Sequence, residues 1–196
     1  YLSNLSPYYS AAVEFEEKVF LRLAYEREQD RQRHEKEVKD SIKKVLVNFR
    51  TGLDPVYTEQ HIPRWIFDES RKYGFDPLFI TALIITESSF YNQAKSSKGA
   101  LGLMQIQPAT GFAMATETQV RWDGQNTLYD PEVNIALGAY YLDKLIKRFG
   151  DLTLALEAYN NGPTQINRLL RQGYHHYRYS NKVYSNYTLV KSQSYI

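Results

Sequence analysis

Hydrophobic residues recur at three- and four-residue steps along most of this chain, the spacing of one face of a helix. The first stretch of this kind predicts a helix from about Ser10 to Arg50, stopped by Gly52. Its apolar parts are separated by the charged run EREQDRQRHEKE at 26–37, which contains neither glycine nor proline. This run predicts either a solvated helix that bridges two packed ends or a linker.

A series of shorter helices follows Asp54, because proline at helix starts and glycine or asparagine at helix ends recur in pairs. The predicted ranges are 76–87, 108–116, 131–150, 151–160, 163–173 and 181–190. Strand-like alternation of polar and apolar residues is scarce. We therefore expect an all-α fold, or nearly so.

Length and composition narrow the class of protein. With 196 residues, 43% of them hydrophobic, the chain can form one domain of ordinary size plus an appendage. A net charge of only +2 argues against nucleic acid as a partner. The absence of cysteine excludes disulfides, thiolate nucleophiles and cysteine metal sites. The longest apolar run, 78–85, is far below the roughly 20 residues of a transmembrane segment.

Glu87 ends the almost wholly apolar helix predicted at 76–87. It shares one face with Ile80, Leu83 and Ile84, at positions i, i+3, i+4 and i+7. Burial and the negative end of the helix dipole would both raise the pKa of such a carboxyl, and a carboxyl protonated near neutral pH is a general acid. A glutamate that merely leaves the helix into solvent is an equally open alternative.

The loop SSKGALGLMQIQP at 96–108 follows this glutamate. Ser96, Gln105 and Gln107 supply uncharged hydrogen-bonding groups suited to sugars, and two glycines allow the backbone to turn sharply. The GxxxxGK[ST] spacing of a phosphate loop is missing. Ordinary turn chemistry without a ligand is the alternative explanation.

Three segments in order, ESSF at 87–90, the loop at 96–108 and AYNNGP at 158–163, resemble the motifs of lytic transglycosylases related to the soluble periplasmic enzyme. That family shares a lysozyme-like fold with goose-type lysozymes. The resemblance covers about 59–190. It implies a mainly helical lysozyme-like transglycosylase domain at 53–196, preceded by an N-terminal helical extension at 1–52.

The resemblance implies roles for the first two motifs. Glu87 matches the single catalytic acid and base of the family. Ser96 falls at a serine whose hydroxyl contacts the glycan, and Gln105 at the glutamine that holds substrate on the cleft floor. Gln107 stands at a substrate-contact position where family members often carry methionine. Met104, between them, is expected in the core.

Further substrate-binding residues come from the C-terminal motifs. Tyr159 matches a tyrosine beside the reacting sugar, expected to hydrogen-bond near Glu87 or the substrate's acetamido group, and Asn160 lies next to it. Tyr179, in YSNKV at 179–183, resembles a tyrosine that lines the cleft. The preceding HHYR at 175–178 departs from the usual threonine-arginine pattern.

The chemistry implied by the resemblance is non-hydrolytic cleavage of peptidoglycan, with one glutamate as acid and then base and a 1,6-anhydromuramyl product. Most glycosidases use two carboxylates, and no second one is obvious beside Glu87. Asp130 is better explained as a helix cap, and Asp123 and Asp143 as surface charges. A hydrolytic muramidase on the same fold and a catalytically idle peptidoglycan-binding module remain open alternatives.

The resemblance also implies partners and location. We expect peptidoglycan glycan strands as the partner, no metal or cofactor, and a place in the bacterial cell envelope, in the periplasm, with any signal or anchor removed from this chain. The N-terminal helix could dock a partner from an envelope machine or lie along the domain. The apolar stripe at 38–49 favours packing on the domain.

Overall fold

Helices make up almost all of the regular structure in residues 6–173 and 177–194, the ranges that this computed structural model describes. The helices are α1 (Ser6–Leu46), α2 (Ile62–Tyr73), α3 (Pro77–Ser88), α4 (Pro108–Thr118), α5 (Pro131–Phe149), α6 (Leu152–Asn161), α7 (Pro163–Arg171) and α8 (Arg178–Ser194). A π-helical turn at Tyr57–His61 precedes α2, and a 3-10 turn at Gln125–Tyr129 precedes α5. In the described ranges, β pairing is limited to isolated bridges within the loop at 95–106. The predicted all-α fold is confirmed.

Three helices begin at aspartates that cap them, Asp76, Asp130 and Asp151. A side-chain oxygen of each accepts a hydrogen bond from a backbone N–H two or three residues further on, at 2.7 to 3.0 Å. Each bond satisfies a donor that the first helical turn leaves open and contributes about 1 kcal/mol. The interpretation of Asp130 as a cap is therefore confirmed.

Other boundaries differ from the prediction. α1 ends at 46 rather than 50, and α8 covers 178–194 rather than 181–190. α2 was not predicted, although Pro63 lies in its first turn and Gly74 just past its end; its start has no side-chain cap, because His61 before it is itself helical. The charged run at 26–37 is helical throughout, which favours a helix over a linker.

α3 is the buried centre of the domain. Its residues from Leu78 to Ile84 are at most 8% exposed, and it packs against α2 and α8. Full burial of one leucine or isoleucine side chain stabilises by about 1.5 to 3 kcal/mol, so α3 is held firmly by its surroundings. The last turn of this fixed helix carries Glu87.

The chain divides into two compact units, residues 1–37 and 38–196. In the first unit, Phe15, Phe20 and Tyr25 are more than 60% exposed. In the second, the last turns of α1 contribute Ile42 and Leu46 to the hydrophobic core. Across the described residues, no helix combines the length and the apolar character needed to cross a membrane.

Candidate active site

The end of α3 is fixed from two sides. Ser88 Oγ donates a hydrogen bond of 2.7 Å to the carbonyl oxygen of Leu103 in the loop after α3. Asn186 Nδ2, on α8, donates one of 2.8 Å to Thr86 Oγ1. Glu87 lies between these two anchored residues, so its backbone has little freedom to move.

The carboxyl of Glu87 is half-buried and does not simply leave the helix into solvent. Burial raises its pKa from the ordinary 4.5 to about 7. A hydrogen bond from Tyr179 and the positive charge of Lys182 act in the opposite direction and lower the pKa. A carboxyl with a pKa near 7 can both give and take a proton at neutral pH.

Tyr179, in the first turn of α8, donates its hydroxyl hydrogen bond to Oε1 of Glu87. Burial, followed by the charge of Glu87, raises the pKa of Tyr179 well above the ordinary 10. The phenol therefore stays protonated and remains a donor over the range in which Glu87 titrates. His175 and His176, in the HHYR run before it, lie outside the described residues.

Tyr159 also lies near Glu87, and its hydroxyl makes a bond to the loop that the sequence did not predict. The hydroxyl donates to the carbonyl oxygen of Met104 at 2.9 Å. Burial raises the pKa of Tyr159 well above 10, and the charge of Glu87 adds to that effect. Tyr159 thus joins α6 to the loop, and the charge of Glu87 acts on its hydroxyl. Its ring also lies 5.3 Å from that of Tyr141, centroid to centroid.

The loop at 96–108 is held by its own polar side chains. Gln105 Nε2 donates to the carbonyl oxygens of Ala94 and Gly102, at 3.1 and 2.8 Å. Ser96 Oγ accepts a bond of 3.0 Å from the N–H of Ala100. These groups, predicted as substrate contacts, therefore also shape the loop. Met104 is fully buried, as expected of a core residue.

A buried asparagine from α5 anchors the same loop. Asn134 Oδ1 accepts from the N–H of Met104 at 2.7 Å, and its Nδ2 donates to the carbonyl oxygens of Leu101 and Leu128 at 3.0 and 2.7 Å. Gly102 has a φ of 77°, and a Cβ there would come within 2.3 Å of Asn134 Nδ2. Only glycine fits this close approach.

A cleft of about 260 Å³ opens beside this loop. Its lining includes four predicted site residues, Gln105, Gln107, Tyr159 and Asn160. Within the described chain, Glu87, Ser96 and Tyr179 lie outside that lining. Tyr159 connects the cleft residues with those around Glu87, because it lines the cleft and its pKa is raised in part by the charge of Glu87.

Sequence reasoning missed a buried carboxylate, Glu157 of α6, which is 2% exposed. Its Oε1 accepts hydrogen bonds from the N–H and the Oγ of Ser180, at 2.8 and 2.9 Å, and its Oε2 faces Asn161 Nδ2 at 3.4 Å. The available signal was a lone acid within the apolar segment LTLALEAY.

Asp143 is also buried, contrary to its prediction as a surface charge, because it lies on the inner side of α5 and pairs with Lys147 at 2.7 Å.

The sequence of this chain is similar to a known protein family and to several characterised proteins. Residues 64–181 match the family model described as the transglycosylase SLT domain. The chain is 38% identical over 98 residues to the transglycosylase of Enterobacteria phage PRD1, an alignment that covers 50% of this chain and 34% of that protein. It is 30% identical over 139 residues to the membrane-bound lytic murein transglycosylase C of Cronobacter sakazakii, covering 64% and 39% of the two chains. The chain thus spans about a third of the length of these relatives.

Solved structures show the same fold. An inactive mutant of the lytic transglycosylase Slt from Pseudomonas aeruginosa superposes with a TM-score of 0.53 at 27% identity, over 71% of this chain and 23% of that one. The 70 kDa soluble lytic transglycosylase of Escherichia coli superposes with a TM-score of 0.54 over 72% and 25% of the two chains. Its identity of 23% makes this second match a likeness of fold alone.

Proposed function

We propose, because this chain belongs to the family of transglycosylase SLT domains, that it is a peptidoglycan lytic transglycosylase. It would cleave the β-1,4 bond between N-acetylmuramic acid and N-acetylglucosamine without water. The observation that carries the proposal is the half-buried carboxyl of Glu87, which has a pKa of about 7 and accepts the hydroxyl of Tyr179. Such a group is suited to act first as an acid and then as a base.

The reaction needs one proton, which Glu87 first gives and then recovers. Glu87 protonates the glycosidic oxygen while the bond from that oxygen to the muramyl anomeric carbon breaks. The 2-acetamido group or the shielded cleft stabilises the positive charge that develops at this carbon. The Glu87 carboxylate then takes the proton of the muramyl 6-hydroxyl as that oxygen attacks the same carbon. The product is a 1,6-anhydro sugar, and Glu87 is again protonated.

The cleft residues are assigned to substrate binding. Gln105, Gln107, Tyr159 and Asn160 line the same cleft of about 260 Å³, which supports a common role. Because the amide nitrogen of Gln105 already donates to two loop carbonyls, we assign its side-chain carbonyl oxygen to the substrate. Gln107 is exposed at the start of α4 and lines the same cleft.

Ser96 and Tyr179 are assigned to the substrate from outside that lining. The Ser96 oxygen accepts a loop N–H, which leaves its hydroxyl hydrogen to donate to a sugar oxygen. Tyr179 contacts Glu87 itself, so a sugar bonded to that carboxyl would also meet the tyrosine ring. Both assignments extend the binding surface from the cleft toward the acid.

A hydrolytic muramidase on the same fold would need a group that activates water. Glu157 is the buried carboxylate on the helix that carries Tyr159, but both of its oxygens already face donors from Ser180 and Asn161. This occupancy argues against Glu157 as a second base that would activate water. An idle binding module is disfavoured because a buried carboxyl is costly to maintain without a task.

The partner and the location follow from the same assignment. We take peptidoglycan glycan strands as the substrate and the periplasm of a bacterial envelope as the location, since relatives are named as membrane-bound or soluble lytic murein transglycosylases. We assign catalysis to 53–196, which holds all three motifs, and docking of an envelope-machine partner to the extension at 1–52. The exposed aromatic side chains of Phe15 and Phe20 support a docking role.

Mass spectrometry of the soluble products released from purified peptidoglycan tests the proposal. Wild-type protein should release anhydromuropeptides, which lack one water, and a folded Glu87→Gln variant should release none. Reducing-end muropeptides would identify a hydrolytic muramidase instead. Binding to peptidoglycan without any product from wild type would indicate the idle module, and turnover by Glu87→Gln would remove Glu87 from the mechanism.

A further inference from the structure

Glu157 joins α6 to the first turn of α8. Ser180 is fully buried, and both its N–H and its hydroxyl donate to a single oxygen of this carboxylate. The first N–H groups of a helix have no partner within the helix, and a negative charge is favoured there by the helix dipole. Glu157 therefore supplies from α6 what a capping residue supplies from its own helix.

The residue held in this way is the neighbour of Tyr179, whose hydroxyl reaches Glu87. A tyrosine hydroxyl lies several bonds from its backbone, so a small displacement of the first turn of α8 moves it out of hydrogen-bond range. Glu157 makes no hydrogen bond to Glu87 in the described structure. The hydrogen-bonded route from Glu157 toward the acid runs through Ser180 to the neighbouring Tyr179.

We propose that Glu157 is a positioning residue that holds the first turn of α8 so that the Tyr179 hydroxyl stays on Glu87. The inference rests on the proposed function only in naming Glu87 as the acid. The hydrogen bonds that join α6 to α8 and α8 to α3 do not depend on which reaction takes place. Its consequence is that the protonation of Glu87 depends on a side chain that touches neither the acid nor the cleft.

The charged and titratable groups around Tyr179 fix the direction of the effect. Glu87 faces it from α3, Tyr159 and Glu157 face it from α6, and Lys182 of α8 acts on Glu87. The Tyr179 bond lowers the pKa of Glu87. If the first turn of α8 loosens, that bond weakens and the pKa of Glu87 rises above about 7.

Two substitutions of Glu157 separate the effect of its side-chain length from the effect of its charge. Glu157→Gln keeps the length of the side chain and one carbonyl oxygen, which can accept both Ser180 bonds, but removes the charge. Glu157→Asp keeps the charge and shortens the side chain by one methylene, so the carboxylate no longer reaches Ser180. Asp143→Asn is the matched control, because it removes the charge of a buried carboxylate on α5 that pairs with Lys147.

The first measurement is the pKa of Glu87 without substrate, from the pH titration of its ¹³C-labelled side-chain carboxyl by NMR. We expect Glu157→Asp to raise this pKa by about one unit, the size of one charge-assisted hydrogen bond. Glu157→Gln and Asp143→Asn should leave it near the wild-type value. The opposite order, with Gln shifted and Asp unchanged, would overturn positioning in favour of a direct charge effect. An unchanged pKa in both folded variants would reduce Glu157 to a structural residue.

The second measurement combines these variants with Tyr179→Phe. If Glu157 acts through the Tyr179 hydroxyl, Glu157→Asp should lower kcat about tenfold in the wild-type background, with little change in KM, and have no further effect on kcat or on the Glu87 pKa in Tyr179→Phe. Equal effects in both backgrounds would overturn the proposal. The titration needs no turnover, so the positioning role is decided even if wild-type protein releases no anhydro product.

Discussion

The hydroxyl of Tyr179 donates a hydrogen bond to Oε1 of Glu87 and so joins the first turn of α8 to the last turn of α3 across 92 positions of sequence. This bond opposes the effect of burial on the acid. Burial alone would favour the protonated carboxyl strongly, whereas the phenol stabilises the carboxylate. Their balance leaves Glu87 with a pKa of about 7, at which both of its protonation states are populated at neutral pH.

Removal of the Tyr179 hydroxyl should move the pH dependence of activity upward. In Tyr179→Phe, Glu87 loses a contact that lowers its pKa, so the pKa rises and the protonated form that starts the reaction persists to higher pH. The carboxylate left when Glu87 gives its proton also loses the hydrogen bond that stabilises it, so proton transfer to the glycosidic oxygen slows. We expect kcat at pH 7 to fall about tenfold or more, with the basic shift visible in the pH profile of kcat/KM.

A tyrosine on the same helix provides the control for that substitution. Tyr184 also lies on α8, but its hydroxyl is 3.1 Å from Thr153 Oγ1 on α6, so its hydrogen-bond partner is a different residue from Glu87. Tyr184→Phe should leave the pH profile unchanged. An identical shift in both variants would mean that the phenylalanine substitution disturbs α8 generally and does not act through Glu87.

Ionisation of Glu87 at alkaline pH should lower the free energy of unfolding of the protein. Its pKa in the folded protein is raised above the ordinary 4.5, so the folded state binds more protons than the unfolded state between these two values. The contribution of the protonated Glu87 carboxyl to the free energy of unfolding is fully present below pH 4.5 and is lost as the pH rises through 7. Glu87→Gln, which stays neutral, should be more stable than wild type at pH 8 by on the order of 2 kcal/mol and nearly equal at pH 4.

Urea denaturation of both proteins at pH 4, 6 and 8 measures this difference. The gap between the two free energies of unfolding should widen as the pH increases. A constant gap across the three values would show that the carboxyl of Glu87 titrates alike in the folded and unfolded chains, and the balance between burial and Tyr179 would then be incorrect.

Much of the fold was predictable because its signals are local. Asp76, Asp130 and Asp151 mark helix starts through bonds to backbone N–H groups only two or three residues away. The apolar character of 77–85 also reports directly on the burial of α3. By contrast, α2 was missed although Pro63 and Gly74 flag its ends, because a π-helical turn runs directly into it and no capping side chain marks its first residue.

The site was less predictable wherever a side chain meets a partner far away in sequence. Glu157 and Ser180 are 23 positions apart in the sequence, and Tyr159 and Met104 are 55 positions apart. Which backbone group a buried side chain bonds depends on how the helices pack, and helical periodicity does not encode it. For the same reason, the sequence could not show that the amide nitrogen of Gln105 is used within its own loop.

Loss of Asn134 should destabilise the loop that carries Gln105. Asn134→Leu keeps a side chain of similar shape but leaves the N–H of Met104 and the carbonyl oxygen of Leu128 without their side-chain partner, whereas Leu101 keeps its bond from the N–H of Ile106. An unsatisfied buried backbone group costs about 1 to 3 kcal/mol, so we expect a loss of about 3 kcal/mol or more in the free energy of unfolding, measured with urea. Asn126→Leu, in the exposed 3-10 turn, is the control and should change stability by less than about 0.5 kcal/mol. Equal losses would show that the anchoring bonds carry no special weight.

Two truncations should separate the extension from the part of α1 that supports the core. A chain beginning at Val38 keeps Ile42, Val45 and Leu46, all at most 2% exposed, whereas a chain beginning at Leu53 lacks them. Their burial contributes on the order of 5 kcal/mol, which is comparable with the whole stability of many domains. We therefore expect the chain from Val38 to melt cooperatively near the temperature of the full chain and to retain its activity on peptidoglycan, and the chain from Leu53 to lose its cooperative transition. A stable, active chain from Leu53 would instead place the structural boundary of the catalytic domain at 52/53, where the motifs alone put its functional boundary.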